Sequence, residues 1–241
     1  MPVAFVAGAT GYTGREVVRL LRARKVDTVA HVRPDSSGLA TWTERFERIG
    51  ARVDSTPWDA DAIAARLTEL QPDVVFALLG TTRARAAREA KEGVPKEQNS
   101  YERVDYGMTM MLVRALEALP PPRHFVYLSA VGTGPRGNAY IDARWRVEQA
   151  LRATKLQWTI ARPSFITGPD RDESRPGERI GASVGDALLG VAGLFGARKL
   201  KERYRSTTNT ELASALVHFA LEPTSANRVV EAEDLRGYGP S

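Results

Sequence analysis

The sequence predicts an α/β protein built on a doubly wound, mostly parallel sheet, with a small substrate or partner region weighted toward the C-terminus. Three observations carry this prediction. Apolar runs of strand length alternate with amphipathic stretches of helix length from Val3 to Glu231. The strand candidates are continuously apolar, as strands buried on both faces are. The first of them runs directly into a glycine-spaced turn that opens a helix.

The elements follow in order. Val3 to Ala7 is a short buried strand, and Arg15 to Arg24 a helix with Val17, Val18, Leu20 and Leu21 on its inner side. Thr28 to Val32 and Ala51 to Asp54 read as the second and third strands. Ala60 to Leu70 is a helix that stops near Pro72, because proline disfavours helix in the residue before it. Val74 to Leu79 is the fourth strand. Tyr106 to Ala118 is a helix closed by Pro120, Pro121 and Pro122, followed by a fifth strand at Phe125 to Leu128. Ala143 to Arg152 and Thr210 to Leu221 are helices, and Trp158 to Arg162 and Arg228 to Glu231 strands. Two stretches break the alternation: Thr81 to Val104, polar and basic, and Gly168 to Arg205, rich in glycine and charge, with an apolar island from Val184 to Phe195. The expectation is one domain over residues 1–241, with 168–205 as a variable lid or partner segment.

Composition narrows the class. Apolar residues make up 43% of the 241, enough for a sizeable core. No apolar run approaches the roughly 18 residues that span a bilayer, and the N-terminus reads without a secretory pattern. Cysteine is absent, which excludes disulfides, thiolate metal sites and a cysteine nucleophile. These features lead to the expectation of a cytoplasmic protein. The formal charge of +5 is spread along helices, without a basic block or nucleic-acid motif. His31, His124 and His218 lack metal-ligand spacing and read as structural, and no metal site is expected.

The strongest chemical signal is the turn. In VAFVAGATGYTGREVVRLL, Gly8, Gly11 and Gly14 stand between strand and helix. Such glycines allow a tight turn, a close approach of backbone to a pyrophosphate, and close packing of helix on sheet, while the helix N-terminus offers free N–H groups to phosphate. Thr10 and Thr13 add hydroxyls, and Tyr12 lies between them. This is a dinucleotide-binding βαβ unit of the Rossmann type. The second strand leads to Arg33, where NAD binders place an acid, and a guanidinium suits the 2′-phosphate of NADP(H). Arg15 stands ready to help, and Asp35 offers the alternative of a ribose hydroxyl partner.

Ligands of open parallel sheets sit at the carboxyl ends of the strands. There the chain presents Leu79, Gly80, Thr81 and Thr82, then Ser129, Ala130, Val131 and Gly132, then Arg162, Pro163 and Ser164; Tyr140 follows the fifth strand, with Arg144 one helical turn on. The stretches GATGYTGR, LLGTTR, YLSAVGT, YIDAR and ARPSFITGP resemble an atypical short-chain dehydrogenase/reductase. LGTTR with YERVDYG is similar to the branch of Tat-interacting, NADPH-binding oxidoreductase-like proteins, near the NmrA-like group. The resemblance covers most of Pro2 to Pro169, fades from Asp170 to Tyr204 and returns weakly at TNTELASALVHFAL.

The resemblance implies a Ser, a Tyr and a Lys, the last two spaced YxxxK. Tyr140 matches the tyrosine, Arg144 stands at the lysine, and the serine falls on Ala130, with Ser129 beside it. Arginine keeps the charge but stays protonated, so it cannot relay a proton, and it suits a ribose contact or a surface ion pair. The resemblance also brings backbone near Pro163, Ser164 and Phe165 to the nicotinamide amide. Two functions remain open: an NADP(H)-dependent oxidoreductase acting on a small carbonyl or alcohol with Tyr140 as proton donor or acceptor, and a non-catalytic NADP(H)-binding regulator or scaffold with a protein partner. A third, nucleotide-sugar epimerase or dehydratase chemistry, suits the short chain less well.

Overall fold

A computed structural model of the chain describes residues 1–81, 100–164, 166–167, 206–222 and 226–238. Strands β1 (Val3–Ala7), β2 (Asp27–His31), β3 (Arg52–Asp54), β4 (Val74–Ala77), β5 (His124–Leu128) and β6 (Gln157–Arg162) join β9 (Arg228–Glu231) in one sheet. Its seven strands run in the order β3-β2-β1-β4-β5-β6-β9. Every pairing in it is parallel. The order reverses between β1 and β4, the point at whose carboxyl ends open parallel sheets bind their ligands. Two short strands, β7 (Ile166–Thr167) and β8 (Thr207–Thr208), form a separate parallel ribbon.

The helices are α1 (Tyr12–Ala23), α2 (Leu39–Arg48), α3 (Ala60–Leu70), α4 (Thr109–Glu117), α5 (Ala139–Ala153) and α6 (Asn209–Leu221), with a π-helical stretch, Tyr101–Met108, leading into α4. Alternation along β1 divides the core in two. Ala4 and Val6 face a layer containing Val17 and Leu21 of α1, Phe46 of α2 and Leu212 and Leu216 of α6. Phe5 and Ala7 face Ile63 and Leu67 of α3, Leu112 and Leu116 of α4 and Val147 and Leu151 of α5. The sheet is therefore covered on both faces, which is why its strands lack polar alternation.

The expected doubly wound sheet is present, and the differences from the sequence reading are local. Helix α2 has no counterpart in that reading, because Phe46 is its one fully buried residue and so leaves no apolar period. The helix expected from Tyr106 begins at Tyr101 in π-helical form. Helix α5 begins at Ala139, where the Asn138 side chain accepts from the Ile141 amide, so Tyr140 lies inside its first turn. Strand β4 ends at Ala77, two residues early, and β7 and β8 are too short to show a period. Residues 82–99 and the expected lid at 168–205, with its apolar island, lie outside the described residues. Among the described residues, no helix is long and apolar enough to cross a membrane.

Candidate functional site

The turn between β1 and α1 is built by two close approaches. Gly8 has φ +82°, and a Cβ there would stand 2.6 Å from the Leu78 carbonyl oxygen. A Cβ on Gly14 would run into the Gly8 carbonyl. The Gly11 amide donates to the Gly8 carbonyl at 3.0 Å and closes the turn. Helix α1 thereby starts hard against β1 and β4, at the reversal of strand order.

The start of α1 carries no side-chain cap, a feature it shares with α2 and α4. Its N-cap is Gly11, and its first turn holds no acid. By contrast, Asp59 caps α3, Asn138 caps α5, and Thr208 with Glu211 forms a capping box on α6. The positive end of the α1 dipole thus stands at the turn without a side-chain cap, an arrangement that favours an anion there. Tyr12 and Thr10 are half-buried and Thr13 is buried at this turn. The Arg15 guanidinium lies 5.2 Å from the Tyr12 ring centroid. These features fit the pyrophosphate of a dinucleotide: a glycine cradle that a Cβ at Gly8 or Gly14 would fill, beside a helix start without a side-chain cap.

Arg33 follows β2 at the same edge. Its side chain is 36% exposed, and its Nη1 lies 3.7 Å from an Asp35 carboxylate oxygen. The two residues that compete for the ribose reading therefore stand side by side. His31 is buried just before them, its Nε2 2.8 Å from the Thr56 carbonyl and its ring edge-on to Trp58 at 4.8 Å. Burial holds its pKa below the usual histidine range, and this ring is part of the core.

Past β4 the chain bends toward β5. The Leu78 amide donates to the Ala7 carbonyl at 3.0 Å, and Leu79 and Gly80 are half-buried beyond it. Thr81 is buried, and its amide donates to Asp105 of the π-helical stretch at 3.0 Å. Thr82 lies outside the described residues. Asp105 also accepts from Arg144 Nη2 at 2.9 Å, and Arg144 Nη1 donates to the Leu128 carbonyl. A Cβ on Gly80 would stand 3.2 Å from Arg144 Nη2, so the glycine makes room for the guanidinium.

Arg144 is 5% exposed. The expected surface ion pair is therefore a buried one, because Asp105 arrives from the π-helical stretch to meet it inside the fold. Burial works against its charge, but Tyr127, Tyr140 and Asp105 around it outweigh that and hold its pKa above the ordinary arginine value. Tyr140 is half-buried, its ring centroid 4.5 Å from the Arg144 guanidinium carbon and 5.3 Å from the Tyr101 ring.

Ser129 points elsewhere. Its hydroxyl donates at 2.7 Å to Glu148, a fully buried carboxylate on α5. Glu148 also takes Arg162 Nε at 2.9 Å, and Arg162 Nη1 reaches Glu231 on β9 at 3.0 Å. The serine is thus part of a chain of charges joining β5, α5, β6 and β9. Ala130 has no hydroxyl to offer, and the nearby Thr133 hydroxyl donates at 2.8 Å to the Ala130 carbonyl. The Val131 amide donates to the Pro163 carbonyl at 2.9 Å, which ties the two strand ends together beside Ser164. Phe165 lies outside the described residues.

The structure thus brings Gly8, Gly11, Gly14, Leu79, Gly80, Thr81, Tyr140, Pro163 and Ser164 to the carboxyl end of the sheet. The sequence reading missed Asp105, Glu148 and Asn209. Glu148 left a signal: an acid between Val147 and Leu151, on the apolar side of a helix, asks for a buried cation. Asp105 left none, because the expected helix began one residue after it.

A family model described as NAD(P)H-binding matches residues 8–187. Protein fmp52, mitochondrial, of Emericella nidulans is 26% identical over 187 residues, 75% of this chain and 73% of that protein. Protein FMP52, mitochondrial, of Coccidioides immitis is 25% identical over 230 residues, 92% of this chain and 86% of that protein. A third such relative, FMP52-1 of Scheffersomyces stipitis, is also named as mitochondrial. These names overturn the cytoplasmic expectation, which rested on composition and on an N-terminus without a secretory pattern; neither feature reports on mitochondria.

Among solved structures, a putative NAD-dependent epimerase/dehydratase from Bacillus halodurans superposes with a TM-score of 0.63 at 17% identity, covering 95% of this chain and 92% of that one. A blue fluorescent protein from a metagenomic library, in complex with NADPH, gives 0.60 at 17% identity over 97% of both chains. At these identities the likeness is one of fold.

Proposed function

The chain belongs to the NAD(P)H-binding family whose model spans residues 8–187, and from that premise we propose that it is an NADP(H)-dependent oxidoreductase acting on a small carbonyl or alcohol. The branch we assign is the one that the Tat-interacting and NmrA-like resemblance suggests. One observation carries the catalytic reading. Tyr140 stands half-buried in the first turn of α5, at the carboxyl end of the sheet, with a fixed guanidinium 4.5 Å from its ring.

The glycine turn and the uncapped start of α1 would hold the pyrophosphate. Arg33 would hold the 2′-phosphate, which makes NADP(H) the preferred form. The nicotinamide, when bound, supplies or accepts a hydride. Tyr140 then gives a proton to the substrate oxygen or takes one from it. Arg144 does not move that proton. Tied to Asp105 and the Leu128 carbonyl, it keeps its charge in place and offsets the negative charge that builds on the Tyr140 oxygen during transfer. Ala130 contributes no hydroxyl, so the substrate oxygen relies on Tyr140. Residues 168–205 are proposed to supply the substrate surface.

A second reading has its own observation. Ser129 and Arg144, which stand beside the expected serine position and at the expected lysine position, are both turned to internal partners, which suits a cofactor-sensing regulator. One experiment separates the two. NADPH affinity and NADPH oxidation across a panel of aldehydes and ketones are measured for the wild type and for Tyr140→Phe. For an oxidoreductase, Tyr140→Phe keeps the affinity and loses about 10²–10⁴-fold in kcat. Tight binding with no Tyr140-dependent turnover on any substrate supports the regulator.

A further inference from the structure

Asn209 joins two regions 197 positions apart in sequence: its Nδ2 donates to the Tyr12 carbonyl at 2.9 Å. Tyr12 is the first residue of α1, on the turn described above, and Asn209 is the first residue of α6. The start of α6 needs no help from this side chain. The Thr208 hydroxyl accepts from the Glu211 amide at 3.2 Å, and the Glu211 carboxylate accepts from the Thr208 amide at 2.9 Å. The Asn209 backbone is therefore held by the capping box, and its amide is released to reach across to α1.

The strand before Asn209 matters equally. Thr207 and Thr208 form β8, which pairs with Ile166 and Thr167 of β7, just beyond Pro163 and Ser164. A continuous line runs from the end of β6 through β7 and β8 to Asn209, and from there to the first turn of α1. Along it, the Thr207 hydroxyl and the Asn209 Oδ1 are buried with no hydrogen-bond partner among the described residues. A buried acceptor left unpaired costs roughly 1–3 kcal/mol. An asparagine placed here at that cost is held for the bond its other atom makes.

We infer that Asn209 is a positioning residue of the dinucleotide site, fixing the first turn of α1 in register with the ribbon beyond β6. The pyrophosphate end and the nicotinamide end of the site are then one mechanical unit, and whatever orders the ribbon orders the turn. The inference rests on the proposed seating of the cofactor, with its pyrophosphate at the α1 turn and its nicotinamide beside Pro163 and Ser164.

The test uses the full chain and two ligands: NADPH, and 2′-phospho-ADP-ribose, which lacks the nicotinamide. Each is titrated against the wild type, Asn209→Ala and Asn209→Asp; the aspartate keeps the size and loses the donor. Both variants are expected to bind NADPH about tenfold more weakly, the equivalent of one hydrogen bond of roughly 1.4 kcal/mol. They are expected to lose less for the fragment, so that the advantage of NADPH over the fragment shrinks. A side chain that only supports the fold would lower the melting temperature and leave that ratio unchanged, and an unchanged ratio overturns the inference. Hydrogen exchange of the wild type is the measurement that needs no variant: NADPH should protect the amides of 206–212, and absence of protection there overturns it too. A wild type that binds neither ligand removes the dinucleotide reading itself, and the inference with it; binding of both with unaltered variants removes the inference alone.

Discussion

The two halves of the carboxyl edge treat their polar groups in opposite ways. At the β1 and β4 end, the backbone is brought forward by glycine and the start of α1 is left without a side-chain cap. At the β5 and β6 end, side chains answer one another: Ser129 with Glu148, Glu148 with Arg162, Arg162 with Glu231, and Arg144 with Asp105. The first arrangement places a helix start without a side-chain cap at the turn, and the second directs most of its side-chain polar atoms to one another. That contrast is why the proposed dinucleotide seat rests on many features of the chain, while the proposed proton chemistry rests on one tyrosine. Removing one partner of such a buried charge network leaves the other uncompensated and costs heavily, even though Arg144 Nε and Glu231 Oε2 are themselves buried without a partner among the described residues.

The largest effect should come from breaking the internally paired side. Glu148→Ala leaves Arg162 and Ser129 without their shared acceptor inside the fold, and about 3–5 kcal/mol of stability should be lost, read from urea unfolding. Replacing Glu148 and Arg162 together by leucine should recover much of that loss. A single substitution that costs less than about 1 kcal/mol would mean that this network is solvated, and the contrast would fail.

The open side is tested by Arg33→Ala, which should leave the fold intact and act on the ligand. NADPH affinity should fall by about 10- to 100-fold, the range of a charge-assisted contact to phosphate, and NADH affinity should change little. Equal losses for the two cofactors would remove Arg33 as the 2′-phosphate partner and give Asp35 the ribose.

The smallest effect is on pH dependence. Burial depresses the pKa of His31 on β2 and of His124 on β5. The unfolded chain therefore binds more protons than the folded one below the ordinary histidine pKa of about 6.5. Stability from both rings is fully present above that pH and is lost as the pH falls through it toward the folded values. Thermal melts taken from about pH 7.5 down to about pH 5 should drift downward, and His124→Asn should flatten the slope by its share. His124 packs its Nε2 2.9 Å from the Thr159 hydroxyl, far in sequence from the glycine turn. A slope that vanished with His31→Asn alone would locate the proton sensitivity at the nucleotide edge.

Much of the nucleotide half was legible in the sequence. The glycine turn is local: strand, spacing and helix lie within Val3 to Ala23, and their meaning does not depend on the rest of the chain. The parallel sheet was legible because its strands are continuous apolar runs separated by helices, and such strands need cover on both faces. The Tyr140 and Arg144 spacing was equally visible, because one helical turn places them on one face. What the spacing left out was depth. Arg144 reads like any helical arginine until Asp105 meets it.

The sequence by itself determined the doubly wound sheet, the glycine turn and the one-turn spacing of Tyr140 and Arg144, because each is read from residues close together along the chain. Tertiary structure alone decided which polar side chains remain available. Ser129 turns to Glu148, Arg144 to Asp105, and Asn209 to Tyr12 across 197 positions. Those choices depend on which distant carboxylate or carbonyl the fold delivers within hydrogen-bonding range, and on the penalty for burying a polar group without one. Neither quantity is written in the spacing of residues.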